Sequence, residues 1–192
     1  IDMSNFISNR IFNKFDELDP IIQGNIYEDC TFQSCDWGDA NLSGVVFADC
    51  IFIESSFNAN ATLLTSFQSI KFERCKIMGL NFSDCSQLLL EMKFSDSKVE
   101  YCGFQNLKTQ NLGFNACSLL DADFYNANIK GVRIIECDLS GAIFDNTILE
   151  NADLRQSYNL QIDSEINYIQ GVRFTMSSFP GWLVKYKIEI DE

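Results

Sequence analysis

The groups able to do chemistry in this 192-residue chain are eight cysteines and 27 aspartates and glutamates, and there is no histidine. Cysteines can ligate metals, exchange disulfides or act as nucleophiles, and each role demands a characteristic spacing. The closest pair, Cys30 and Cys35, is five residues apart rather than the CxxC of zinc and redox sites. Without histidine, histidine triads, histidine metal sites and an imidazole general base are excluded. Asp36 with Asp39, and Asp121 with Asp123, have the look of paired carboxylates for acid–base work. No Gly-rich phosphate loop of the GxxxxGK[ST] or GxGxxG type occurs. The expectation is no enzyme, with no catalytic residue, no metal and no cofactor.

The cysteines become intelligible once the elements that carry them are considered. In DANLSGVVFADCIF (Asp39–Phe52), large apolar residues recur at Leu42, Phe47 and Phe52, a step of five that matches neither a helix nor a simple strand. The step runs from Ile22 through Tyr27, Phe32, Trp37, Leu42, Phe47, Phe52, Phe57, Thr62, Phe67, Phe72 and Ile77 to Phe82. It slips by two residues and resumes from Leu89 through Phe94, Val99, Phe104, Thr109, Phe114, Leu119, Phe124, Ile129, Ile134, Leu139, Phe144 and Leu149 to Leu154. Two places before each of these central residues lies a second class, mostly small, and all eight cysteines share that slot. Between Tyr27 and Arg155 neither class contains a charge. Burying an unpaired charge is costly, so two residues in five face a core and three face water.

A fixed short period signals a stack of identical units. Four five-residue sides per coil, with backbone groups pairing between coils about 4.8 Å apart, satisfy this code. In that arrangement the cysteines are small buried fillers rather than disulfide partners or ligands.

ANLSG (Ala40–Gly44), CDLSG (Cys137–Gly141), ADFYN (Ala122–Asn126) and ADLRQ (Ala152–Gln156) match the A(D/N)LXX signature, and the chain resembles the pentapeptide repeat proteins. The resemblance implies an all-β fold, a right-handed quadrilateral β-helix of about seven coils with a short helical C-terminal cap. The organisation expected is an N-terminal cap over 1–21, a β-helix over 22–156 and a C-terminal cap and dimerisation module over 157–192.

Departures from the frame are candidate contact points. The two-residue insertion through Ser86, Gln87 and Leu88 is expected to bulge from one corner, and Leu63 and Leu64 in NANATLLT to be pushed outward. Thr109 lies between Leu107 and Leu112 in the small slot, an exchange of size that keeps the volume filled. A trace of the frame at Ile7 and Phe12 precedes DELDP (Asp16–Pro20), expected to be a turn. After Arg155 the code is expected to end. A short helix capped by Asp163 or Ser164 follows, then an extended piece at Val172–Phe174. A second helix capped by Ser177 or Ser178, with Pro180 near its first turn, and a terminal strand complete the reading. The apolar residues Phe174, Phe179, Trp182, Leu183, Ile188 and Ile190 exceed what a cap needs and point to a two-fold dimer interface. The tail, with Ile162, Asp163, Asn167, Ile188 and Ile190, is similar to the C-terminal dimerisation module of the Qnr and microcin-immunity type, with Ser164 where that type usually has proline.

The formal net charge of −13 argues against direct nucleic-acid binding. From Phe15 to Ile70 there is no Lys or Arg but nine acids, and acidity returns after Lys108. Expected partner contacts are therefore Glu28, Asp29, Asp36, Asp39, Asp49, Glu54, Asp138, Asp145, Glu150 and Asp153. The Qnr-type resemblance implies DNA gyrase or topoisomerase IV as the partner, a DNA-mimicking role, and protection from a toxin or quinolone. A rigid scaffold or adaptor for another protein is the alternative. No apolar run approaches the roughly 18 residues of a membrane helix, so a cytoplasmic protein, free of membrane contact, is expected.

Overall fold

Within each five-residue unit, three residues form a strand whose middle side chain points inward and whose neighbours point outward, the ordinary period of two. The computed structural model of the chain describes residues 6–14, 24–38 and 40–188. Strands are three or four residues long, such as Ile26–Glu28, Thr31–Gln33 and Ile51–Ile53, with burial confined to the central position. The residue two places after the centre turns the corner in the left-handed region, as at Asp29 (φ 51°), Asp49 (φ 51°) and Asn126 (φ 53°). The five-residue beat is thus a period-two strand plus two corner residues. Asp, Asn and Gly tolerate this conformation best, so backbone geometry accounts for part of the Asp and Asn content of the corners.

Successive coils pair in parallel and in register, twenty residues apart: Ile7 with Tyr27, Tyr27 with Phe47, and Phe47 with Phe67 on the first side. The longest sheet, on the second side, runs from Ile11–Asn13 to Arg133–Ile135. Following its ladder from Phe12 through Phe32, Phe52, Phe72, Phe94, Phe114 and Ile134 to Leu154 takes seven coil steps, close to the number expected. The chain forms the expected right-handed quadrilateral β-helix.

In-register pairing repeats each side chain at the strand spacing, so the rings stack. Phe12, Phe32, Phe52, Phe72, Phe94 and Phe114 follow one another at 4.8–5.0 Å, and Phe82, Phe104, Phe124 and Phe144 at 4.9–5.1 Å. Offset stacks of this kind add about 0.5–1.5 kcal/mol per pair beyond burial.

The corner slot obeys a rule that explains its cysteines. At many corners the slot residue closes a turn by donating its N–H to the central C=O three residues back, and most slots there are apolar, as for Ala122 to Leu119, Ala142 to Leu139, Ala152 to Leu149 and Val132 to Ile129. Thr65 and Ser157 close the same turn onto Thr62 and Leu154 while their hydroxyls donate to Leu42 O and Ile134 O in the coil before. At the more extended corners a slot side chain from the next coil inserts instead. Ser97 Oγ accepts from Cys75 N–H and lies 3.5 Å from Phe72 O; Ser157 Oγ accepts from Cys137 N–H and donates to Ile134 O. Asn167 does the same for Thr147 and Phe144. Cys50, Cys75 and Cys102 thiols donate to the corresponding carbonyls of Tyr27, Phe52 and Ile77. The slot therefore selects small residues carrying a donor wherever a buried carbonyl would otherwise be left over.

Four features differ from the sequence reading. Leu89 is not a central residue: it is exposed and left-handed (φ 57°), while Leu90 turns inward. The extra residues are absorbed there, and Phe94 still stacks on Phe72 at 4.8 Å. Second, strands Phe6–Ser8 and Ile11–Asn13 pair with the next coil, so the frame extends to the N-terminal side; the DELDP turn and Ile22 lie outside the described residues. Third, the code does not end at Arg155. Bridges Ile148–Tyr168 and Asp153–Arg173 carry the pairing on, and Ser157, Ile162 and Asn167 keep the corner register while the central positions Asn159 and Ser164 face out. The expected first helix is instead a turn, with Asp163 Oδ1 accepting from Glu165 N–H. Fourth, the terminal helix is a 3₁₀ segment, Met176–Trp182, entered from Thr175 rather than Ser177 or Ser178, with Pro180 inside it. A second 3₁₀ turn, Val184–Tyr186, occupies the start of the expected terminal strand, whose remainder lies outside the described residues.

Candidate functional site

Burial withdraws the cysteines from solvent, although the hydrogen bond from Cys137 lowers the pKa of Cys117. All eight thiols are buried. Desolvation pushes Cys50, Cys85 and Cys102 up to about 12 and Cys75 to about 11, far above the range of a reactive thiol. Cys137 is raised by its hydrogen bond with Cys117 and by burial. Asp121 and Asp123 project from different positions of one side, the first at a corner (φ 51°), the second bonded to Gln105 and to Tyr125 N–H. Among the described residues no group of three or more Cys, Asp or Glu is placed to hold a metal ion.

The charges lie on the outward positions, and register fixes where each described acid sits. Glu28 flanks the centre of the first side, with Asp29 and Asp49 at its corner in successive coils. Asp36 lies on the third side, bonded to Ser56, and Glu54 at the second corner, paired with Arg74 at 3.1 Å. Asp138 stands in register beyond Ser118 on the third side. Its carboxyl is held below the usual range by bonds from Ser140 and Asn159 that outweigh desolvation. Asp145 bonds Asn146 on the fourth side, and Glu150 pairs with Lys130 on the first. Asp39 lies outside the described residues. The carboxylates thus wrap the rod instead of forming one stripe. Asp153 departs furthest from expectation: it is 1% exposed, beneath Arg155 and Arg173 at 2.8 and 2.9 Å, so it is a local cross-link and offers no charge outward. Hydrogen bonding from Arg155 first, and both guanidinium charges, hold its carboxyl low.

A second outward feature is apolar. Leu63 and Leu64 are 61% and 66% exposed, as their position in NANATLLT suggested, and Leu88 and Leu89 of the inserted bulge are 72% and 68% exposed. The two pairs occupy adjacent coils, tied by the Ser66–Ser86 bridge and the antiparallel Gln68–Leu90 bridge. Ser86 Oγ accepts from Leu88 N–H, and Gln87 Oε1 from Lys108 N–H, which fixes the bulge against the coil beyond it. In the sequence Leu89 falls on the inward frame, because any of the adjacent leucines Leu88, Leu89 and Leu90 can continue it.

Of the C-terminal apolar residues, Trp182 is buried, its ring 5.1 Å from Phe174. It closes the last coil of its own chain and is not offered to a partner. Phe179, Val184 and Ile188 remain exposed, and Ile190 lies outside the described residues. Lys185 pairs with Asp163 and Glu165, pinning this cap to the final coil. No described helix is long and apolar enough to cross a membrane.

Fold and surface together define a β-solenoid of five-residue units whose outward faces carry its charges and its exposed leucines. A family model described as pentapeptide repeats (8 copies) matches residues 28–59, and one described as the SV2A/B/C luminal domain matches residues 85–144. Over residues 28–59 the chain is thus similar to the pentapeptide repeat family. Among solved structures it is similar to full-length QnrB1, described as a plasmid-mediated fluoroquinolone resistance protein, at 18% identity over 96% of this chain and 100% of that one (TM-score 0.47). It is also similar to HetL of the cyanobacterium Nostoc sp. strain PCC 7120, a pentapeptide repeat protein involved in heterocyst differentiation regulation, at 13% identity over 87% of this chain and 81% of that one (TM-score 0.44). No curated protein matches the sequence.

Proposed function

We propose that this chain is a non-enzymatic, DNA-mimicking protein of the cytoplasm that binds a type II topoisomerase, DNA gyrase or topoisomerase IV, and protects it from a toxin or quinolone. The observation that carries the reading is the charge layout. The coils between Ile26 and Ser69 contain no cation, while Glu28, Asp29, Asp36, Asp49 and Glu54 project from them. Coils rise about 4.8 Å each, so the carboxylates line a rod along which a basic groove shaped for duplex DNA can close. Register limits the orientation: the second side carries Lys71, Lys93 and Arg133 in a row and the first coil carries Arg10 and Lys14, so the mimicking surface is the cation-free stretch between Ile26 and Ser69, centred on the first side and its Asp29–Asp49 corner. A homodimer through Phe179, Val184 and Ile188 would lengthen the rod. In a gyrase supercoiling assay the protein changes supercoiling or its inhibition by a quinolone at micromolar concentration, and capture of gyrase weakens steeply with salt. No effect with or without drug would sink the proposal.

The exposed leucines favour a second reading, a rigid scaffold or adaptor that docks another protein through Leu63, Leu64, Leu88 and Leu89. Its binding would survive high salt and be lost on replacing Leu64 and Leu88 by Asp. The acidic reading predicts the opposite pattern.

A further inference from the structure

The basic row on the second side bounds a groove of its own. Register aligns Lys71, Lys93, Gly113 and Arg133 in successive coils, before the stacked Phe72, Phe94, Phe114 and Ile134. Lys71, Lys93, Gly113 and Arg133, with Phe94 and Phe114, border a cavity of about 430 Å³, into which Gln110 and Asn115 add polar groups and Glu73 the one acid.

Three observations point to a ligand. The first is repulsion: neighbouring rungs are about 4.8 Å apart, and like charges in register on adjacent strands destabilise a sheet. The second is that the row is not neutralised internally. Lys71 and Arg133 have no ion pair among the described residues, and Lys93 Nζ reaches only the neutral carbonyl of Asn111 at 3.3 Å. The third is the glycine. At this position of the second side the described coils carry Ile11, Thr31, Ile51, Lys71, Lys93, Gly113, Arg133, Asp153 and Arg173, and only Gly113 lacks a side chain. Gly113 is not left-handed, so the backbone does not demand glycine there. A Cβ at Gly113 would stand 3.0 Å from Lys93 Cδ and intrude on the gap between the two cations.

We propose that this groove binds a small polyanion, whose phosphate or carboxylate groups lie over Gly113 between Lys93 and Arg133, with Lys71 extending the positive field. Lys93 and Arg133 are two coil steps apart, about 10 Å, a span suited to a ligand with separated anionic ends. The site is independent of the topoisomerase reading, which concerns the opposite charge at the other end of the rod.

Calorimetric titration of the intact chain at low ionic strength tests it, with tripolyphosphate and the tricarboxylate tricarballylate as separate titrants. At least one binds with a stoichiometry of about one, and the one that does names the anion class. Arg133→Gln and Gly113→Val each weaken binding at least tenfold, the latter with every charge retained. Lys76→Gln, which removes a cation from the Lys76–Lys98 row of the third side, leaves binding unchanged. If Gly113→Val lowers the melting temperature, Gly113→Ser takes its place. Failure of both titrants to bind, native-like binding by the Gly113 variant, or an equal loss in Lys76→Gln would overturn the proposal.

Discussion

Replacing Ser157 by Ala tests the corner rule at a single atom. Ser157 is 1% exposed, and its Oγ accepts from Cys137 N–H at 3.1 Å and donates to Ile134 O at 2.7 Å. Removing the oxygen leaves a buried N–H and a buried C=O facing each other across a corner too extended to pair them directly. Each such group costs about 1–3 kcal/mol, so the variant should lose roughly 2–5 kcal/mol, with almost no contribution from lost volume. For a chain of this size about 2–4 °C accompanies each kcal/mol, which places the loss of melting temperature at roughly 4–20 °C. Ser157→Cys restores a donor and an acceptor in the slot, as Cys50, Cys75 and Cys102 do elsewhere, and should recover most of it. Thermal unfolding followed by circular dichroism at neutral pH reads both variants. A Ser157→Ala protein melting within about 1 °C of the parent would show that the slot is chosen for size alone, and the rule would be wrong.

Other expectations follow from the same geometry. The native protein should resist thiol-specific reagents at pH 8, since burial holds Cys50, Cys75, Cys85 and Cys102 at about 11–12, and all eight thiols should react once guanidinium unfolds it. Asp153 has a folded pKa below its unfolded value, so its stabilisation is complete above about pH 4 and disappears as pH falls through the folded pKa. Asp153→Asn should therefore be less stable than the parent at pH 7, with the gap closing in strong acid, as measured by urea unfolding at both extremes. Phe94→Ala removes one rung of the ring ladder beside the insertion and should cost about 3–5 kcal/mol; a loss below 1 kcal/mol would mean that the ladder relaxes around the gap.

Much of the architecture was legible because inward and outward positions are segregated without exception over most of the chain. Tyr27 to Phe82 and Phe94 to Leu154 read directly as ladders, since a charge there would have no partner. The reading broke where the code became degenerate. At Leu88–Leu89–Leu90 three equivalent side chains competed for one inward position, and only the pairing of Met92 with Ile70 shows which of them turned in. Beyond Arg155 the central positions are polar while the corner slots persist at Ser157, Ile162 and Asn167; a frame recognised by its large residues loses sight of a coil held by its corners. Trp182 carried the composition of an interface residue, yet it covers the end of its own core.

The candidate surface divides in the same way. The linear sequence established that acids crowd one stretch and that the cysteines share one slot, because both are one-dimensional counts along a fixed period. What twenty-residue register alone decided is which charges become neighbours. It carried Arg173 over Asp153, set Lys93 and Arg133 on either side of Gly113, and distributed the carboxylates around four sides. Residues far apart in the chain meet at the spacing of adjacent strands, and electrostatic energy depends on that separation and not on position in sequence.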